Sequence, residues 1–379
     1  MNKFKQYIKY LIIIFIDFFI EKNPKIKDKT ILVVRLDSIG DYILFRNYLE
    51  VLNNEYKGYK ITLVGNNAWK SISHEFDDQF IEEFIWVDVD KFRKNLYYKL
   101  IILKKINKIG YEKIINPTYS RDYFIDDNIV RIINAKEKIG SVGNFSNISK
   151  WQKKLSDKYY TKLIPAKKEV LFEFYRNKEF VESLLDTKLS IKKPMIILKE
   201  KIIDYSLPNE YAILFIGASA SYRKWSIENF VEIGKYIQEI YGYSIVVCGG
   251  PADLEDSKRF EELADYKYIN MVGKTSLIDF LYIIDNGKLM VSNETSAPHF
   301  AVALDMKNIF VIYNGNHYGR FTPYPKEINS NYYVIFHPEI IKDLDNYKKL
   351  SNSYNYENKL DINDIKVDIV KNILKEKIH

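Results

Sequence analysis

The chain of 379 residues has one cysteine, Cys248, set in the apolar run Ser244-Ile-Val-Val-Cys248. A lone cysteine rules out an intramolecular disulfide and most thiolate metal sites, and it fits a reducing cytoplasm. Histidine is scarce too, and His74, His299, His317 and His337 are too scattered for a metal site. The first strand-end loop, Arg35-Leu-Asp-Ser-Ile-Gly-Asp41, has a single glycine where a dinucleotide fingerprint needs three, which argues against a nicotinamide enzyme. No apolar run is long enough for a membrane span: Tyr7–Ile20 covers only about 21 Å as a helix, against a hydrocarbon core of ~30 Å. No small-residue cleavage site follows it, which argues against a secretory signal. Internal repeats and low-complexity segments are lacking. So is any basic-aromatic recognition module, which excludes nucleic acid as a partner.

What is present describes a globular protein, with 47% hydrophobic and 28% charged residues and length enough for two domains. The net charge of +7 is unevenly placed, because residues 1–30 hold seven lysines against Asp17, Glu21 and Asp28. An apolar helix flanked by lysines suits a segment lying on the inner face of an anionic membrane. It equally suits a helix packed on the protein's own surface. Residues 1–29 are therefore expected to form a membrane-associating segment, with peripheral contact through residues 1–22.

Beyond residue 30 short β-rich runs alternate with helical stretches. Ile31–Arg35, Ile61–Gly65, Phe84–Val89 and Lys113–Asn116 read as strands. After a polar, lysine-rich middle the pattern restarts with a strand at Tyr211–Gly217, a helix at Ile227–Tyr241 and a strand at Ser244–Gly249. Helices at Asp253–Ala264 and Ser276–Asp285 follow, then strands at Leu289–Ser292 and Asn308–Tyr313. Two successive β-α-β series with doubly apolar strands predict two parallel-sheet domains. Their expected bounds are 30–200 and 201–340. Residues 341–379 should pack back on the body through the stripe Ile362, Ile365, Ile369, Val370, Ile373 and Leu374 of a helix over Asp361–Lys377.

Ligands of parallel sheets bind beyond the carboxyl ends of strands, so the loops there carry the chemistry, and the site is expected in a cleft where such loops of both halves face each other. The most informative one is Val291-Ser-Asn-Glu-Thr-Ser-Ala-Pro-His299. A strand runs into a polar turn, and Pro298 opens a helix whose first N–H groups favour an anion such as phosphate. Glu294, Thr295, Ser296 and His299 cluster at that mouth; an ordinary capped helix start is the plainer alternative. Gly217-Ala-Ser-Ala-Ser-Tyr-Arg-Lys-Trp225 sets Ser219 beside two cations, Arg223 and Lys224, suited to a pyrophosphate leaving group or to a solvated loop. Gly249-Gly-Pro-Ala-Asp253 permits close backbone approach, with Asp253 or Glu255 able to take a ribose hydroxyl. Lys274, Thr275 and Ser276 start a helix. In the first half, Asp41 is either a helix-start carboxylate or a base for a hydroxyl nucleophile.

In this order, Ile31–Asp41, Gly217–Trp225, Gly249–Pro251, Val272–Leu277, Ser292–His299 and Gly315-Asn-His-Tyr-Gly-Arg320 before Pro323 resemble glycosyltransferase family 9, the heptosyltransferase-like enzymes. The resemblance covers roughly residues 30–325. It implies a GT-B architecture: two Rossmann-like domains facing each other across a cleft, the first holding the acceptor and the second a nucleotide sugar. It implies inverting transfer without a metal or other cofactor, from a donor that is usually an ADP-sugar, ADP-heptose above all. The acceptor would be lipopolysaccharide-like or another cell-surface glycan, possession of which places the enzyme in the cytoplasm, peripheral on the inner face of the cell membrane. Carried over, Asp41 is the base, the N–H groups of Thr295 and Ser296 hold the diphosphate with His299 close by, Arg223 neutralises the leaving phosphate and Asp253 approaches the ribose. Ser219, Lys224, Lys274, Thr275 and Glu294 complete the donor set, and acceptor contacts are expected from Arg35, Ser38, Tyr119 and Arg121. The family commonly has Asp-Ser/Thr-Gly where this chain has Glu294-Thr295-Ser296, and often Lys at Arg223; both departures bear on the donor more than on the reaction. Two other functions share the architecture: a nucleotide-sugar epimerase or hydrolase, and a non-catalytic nucleotide-sugar binder.

Overall fold

Twelve strands of a computed structural model, which describes residues 3–21, 23–200, 205–354 and 359–378, form two six-stranded sheets. The first contains β1 (Ile26–Arg35), β2 (Lys60–Asn66), β3 (Glu83–Val87), β4 (Gly110–Asn116), β5 (Ala135–Ser141) and β6 (Lys162–Ile164). The second contains β7 (Tyr211–Phe215), β8 (Ser244–Cys248), β9 (Tyr268–Asn270), β10 (Leu289–Asn293), β11 (Ile309–Tyr313) and β12 (Tyr332–Phe336). Their orders are β3-β2-β1-β4-β5-β6 and β12-β11-β10-β7-β8-β9, and every adjacent pair is parallel. Both sheets have the doubly wound order in which the chain reverses direction between two central strands, β1 and β4 in one, β7 and β10 in the other. In sheets of this order the loops beyond the carboxyl ends of such a pair diverge, and ligands bind in the crevice between them.

The chain divides into two compact units, Met1–Lys167 with Tyr175–Leu189, and Lys168–Phe174 with Ser190–His379. The boundary expected at 200–201 therefore lies at 189–190, and residues 168–174 join the second unit. The lysine-rich middle, read from sequence as polar and featureless, supplies the Lys150–Ser156 helix, β6 and the Glu173–Leu185 helix.

The central strands are apolar on both faces for a plain reason: helices cover both. In the second unit Leu214, Val247, Val291 and Ile312 join Phe230, Ile233 and Ile237 of the Ile227–Tyr241 helix in one core. Ile362, Ile365, Val370 and Leu374 belong to the same core, with Ile369 and Ile373 at its margin. The expected single helix over 361–377 is a short 3₁₀ turn, Ile362–Asp364, followed by a helix at Val367–Lys377.

The N-terminal helix, Lys3–Asp17, is part of the first unit's packing. Ile16 and Ile20 lie in the core with Leu103 and Ile106, while Ile13 packs with Tyr123, Phe124 and Ile148. Asp17 forms a two-pronged ion pair with Arg131, one contact being 2.9 Å, and Asn107 Nδ2 donates to the Glu21 carbonyl at 2.7 Å. One face of the helix is thus packed on the protein, so removing the whole segment exposes core as well as altering surface. Ile16→Ala is expected to cost about 2–4 kcal/mol in urea unfolding, and Phe15→Ala, on the opposite face, less than about 1 kcal/mol.

Candidate functional site

In the second unit the crevice between β7 and β10 is built around Asn293, the last residue of β10 and fully buried. Its amide donates to the Ile216 carbonyl at 2.8 Å, and its Oδ1 accepts from the Trp225 N–H at 2.9 Å. Asn314, just past β11, donates to the Tyr222 carbonyl at 2.8 Å. The 217–225 loop is therefore pinned at both ends and in its middle. Gly217 is required by a close approach, since a Cβ there would sit 2.2 Å from the Asp253 carboxylate.

The pinned loop delivers Arg223 onto Glu294, with Nη1 2.8 Å from Oε2. Its Nη2 donates to the Ser219 hydroxyl. Burial pushes the Glu294 carboxyl up from its ordinary value, and the Arg223 charge opposes that rise. Next in sequence, Thr295 and Ser296 are only partly buried and open the Ser296–Ala303 helix. The Thr295 side chain does not cap it. The helix start therefore keeps its unpaired N–H groups and positive end for a ligand, and Pro298 has no N–H to offer. His299, one turn in, is buried and its Nδ1 lies 2.6 Å from the Tyr324 hydroxyl. Burial, with the neighbouring Arg223 charge, lowers its pKa to about 4. Ser219, Arg223, Glu294, Thr295, Ser296 and His299 thus form one anion-receptive corner at the strand-order reversal.

The remaining donor candidates lie farther along the same carboxyl edge or serve another purpose. Lys224 Nζ is spent on Asp253 at 2.9 Å and Asp256 at 2.5 Å. Asp253, expected at a ribose, is 6% exposed and accepts from the Gly250 N–H at 2.9 Å, so it braces the loop after β8 beneath Gly217. Lys274 is exposed and Thr275 half-buried in the turn after β9, which the Gly273 N–H ties to the Gly249 carbonyl at 3.0 Å. Ser276 caps the Leu277–Asn286 helix.

In the first unit Asp41 rides on a short helix, Ile39–Ile43, directly after β1. Its neighbour Tyr42 fixes that helix. The Tyr42 ring stacks on Trp69 at 3.8 Å and its hydroxyl donates to Asp77 at 2.6 Å. Asp77 is also paired with Arg46 at 2.7 Å. Asp41 remains partly exposed and Ser38 exposed at the same loop, and Tyr119 is half-buried after β4, under the Arg176 guanidinium. The two acceptor arginines are corrected by the structure. Arg35 is fully buried and divided among Asp37 at 2.9 Å, Asn177 at 3.2 Å and the Asp41 carbonyl at 3.3 Å. Arg121 is buried against Asp127, Asp157 and the Tyr160 ring. Both hold loops in place and neither guanidinium is presented to a ligand.

Sequence reasoning missed Asn293 as a hub, Asn314 and Tyr324. The one available signal was an asparagine closing an otherwise apolar strand, where both ends of an amide can reach neighbouring loops. The buried histidine gives a direct check: in an NMR pH titration one imidazole, absent from His299→Asn, is expected to stay neutral at about pH 5.5, below the ordinary histidine range.

The family model for Glycosyltransferase family 9 (heptosyltransferase) matches residues 121–346. Among solved structures, the chain is similar to a glycosyl transferase family 9 protein from Veillonella parvula DSM 2008, at 21% identity and TM-score 0.69, over 92% of this chain and 97% of that one. It is similar to the E. coli heptosyltransferase WaaC with ADP at 19% identity and TM-score 0.66, over 92% and 99%. It is also similar to E. coli ADP-heptose lps heptosyltransferase II at 15% identity and TM-score 0.60, over 92% and 100%. No functionally curated protein matches the sequence. The likeness to these structures extends over both of this chain's parallel six-stranded sheets, and the family match spans more than half of the sequence: the chain belongs to glycosyltransferase family 9, a glycosyltransferase of GT-B architecture.

Proposed function

We propose that this enzyme moves a sugar, heptose or a relative, from a nucleoside diphosphate sugar, an ADP-sugar first among candidates, to a lipid-linked or lipopolysaccharide-like acceptor. It works in the cytoplasm at the inner face of the cell membrane. The observation that carries the reading is the corner made by Arg223, Ser219 and the start of the Ser296–Ala303 helix at the reversal of strand order. It is built for a departing diphosphate. As the anomeric C–O bond breaks, its electron pair adds a further negative charge to the leaving diphosphate, and fixed donors aimed at that charge lower the barrier. Here the guanidinium and the helix start meet the charge without a metal.

Asp41 takes the proton from the acceptor hydroxyl while that oxygen bonds to the anomeric carbon. The diphosphate leaves from the opposite face, so the configuration inverts. Neutral His299 adds a polar edge without bringing a second charge next to Arg223. The Arg223–Glu294 pair keeps the cation oriented before donor arrives, and a carboxylate held on its partner costs the site less than one left buried alone.

Asp41→Asn is expected to lower kcat by roughly 10²–10⁴-fold with donor affinity little changed, measured as sugar transfer against ADP-sugar binding. An unaltered rate removes Asp41 from the role. Arg223→Ala removes the phosphate partner and strands Glu294, so ADP binding weakens by about 30-fold or more and the melting temperature falls; adding Glu294→Gln restores the melting temperature but not the affinity. A screen of ADP-, GDP- and UDP-sugars by thermal shift identifies the donor. Turnover of that donor with no acceptor present would point to an epimerase or hydrolase instead.

A further inference from the structure

The N-terminal helix is only half used by the packing described above. Its outer side presents Leu11 and Phe15 at 64% and 62% exposure, continued by Phe19 at 53% just past the helix end. The Leu96–Ile106 helix shows the same division. Ile102, Leu103 and Ile106 enter the core that also takes Ile16 and Ile20, while Tyr97 and Ile101 stand 74% and 45% exposed. Each of these two helices, which share one buried cluster, thus leaves large apolar side chains exposed on its other side. Large aromatic and aliphatic groups gathered in this way are uncommon on a freely soluble surface and mark a contact.

Lysines predominate around this face, with Glu21 exposed just past Phe19 and Asp90 exposed on the neighbouring Val89–Lys94 helix. Lys104, Lys105 and Lys108 are exposed at the far end of the Leu96–Ile106 helix and the turn after it, and the helix contains no acid. The Lys150–Ser156 helix, whose Trp151 stacks on Tyr7 at 4.7 Å, adds exposed Lys150 and Lys154 and no acid. The acid of the N-terminal helix, Asp17, is held by Arg131. An apolar strip rimmed by lysines matches the acyl boundary and headgroups of an anionic membrane. Among the described residues no helix is long and apolar enough to cross one.

We infer that the outer faces of the N-terminal helix and the Leu96–Ile106 helix together dock the first unit on an anionic lipid surface. This deepens the proposal of a membrane-held acceptor, and it makes the anchor a rigid two-helix face rather than a detachable leader. The geometry fixes which side of the first unit turns to the bilayer, because the N-terminal helix is tied to Arg131 and to Asn107.

The test uses the full chain and sedimentation with phosphatidylcholine vesicles, with and without phosphatidylglycerol. Binding is expected with the anionic vesicles, little without them, and a marked loss at about 0.5 M salt. Leu11→Glu with Phe15→Glu should cut the bound fraction about tenfold, and Tyr97→Glu with Ile101→Glu several-fold. Both pairs are exposed positions, and an unchanged melting curve and ADP thermal shift show that fold and donor site survive. Those two readouts separate this inference from the transfer reaction, since either can fail while the other stands. Absence of binding to anionic vesicles overturns it. So does full binding by the Tyr97/Ile101 variant, which would leave a one-helix anchor. A concentration-dependent dimer abolished by the same substitutions would assign the face to a second copy of the chain and equally overturn it.

Discussion

Asn293 is the fixed point of the second unit. A side-chain amide has one donor end and one acceptor end, and here each is committed to a different backbone group of the loop that leaves β7. Because the residue ends β10, the two strands flanking the reversal are stapled together where a ligand would rest. Everything else at the corner follows from that staple. Arg223 reaches Glu294 because its loop cannot swing away, and Glu294 is placed by being the next residue. The N–H groups at the helix start are not taken up by a cap from the Thr295 side chain. Burial makes the arrangement costly to leave incomplete, since a lost partner at Asn293 strands polar groups away from water.

The same physics explains why two arginines expected at the acceptor are instead tied into the loops around them. A guanidinium offers five donors in a rigid fork, so it is as useful for tying loops together as for binding phosphate. Arg35, at the end of β1, reaches Asp37, Asn177 and the Asp41 carbonyl, and so sets the position of the loop on which Asp41 sits. Arg121 does comparable work beside Asp127 and Asp157. Arg223 differs in being partly exposed with its acid at its side, which leaves it able to face a ligand. The Arg223 fork and the Glu294 carboxylate reach one another across this corner.

Strands with apolar residues on both faces announced themselves, and so did the helix start at Ser296, because periodicity and proline position are local signals. The strands β5, β6, β9 and β12, at or next to sheet edges, were not legible. Ala135–Ser141 and Lys162–Ile164 carry lysines and glycine, and they are strands because a neighbour already offers its backbone. Of the site, Arg223, Glu294, Thr295, Ser296 and His299 were named from the sequence and stand together. The pairing of Asp253 with Lys224 was not legible, because an Asp and a Lys some thirty positions apart give no hint of finding each other. Tyr324 was invisible for the same reason: its partner His299 lies 25 positions away. Long-range pairing is what a single sequence hides.

The indole N–H of Trp225 donates to the Ile365 carbonyl at 2.8 Å, and the Ser226 N–H donates to the Asn363 side chain at 2.9 Å. The loop carrying Arg223 is thus buttressed by chain synthesised some 140 positions later. During synthesis the second sheet is complete before residue 365 emerges, so these two bonds at the end of the loop are added after those from Asn293 and Asn314. The last tether of this loop is thus a late event in biosynthesis.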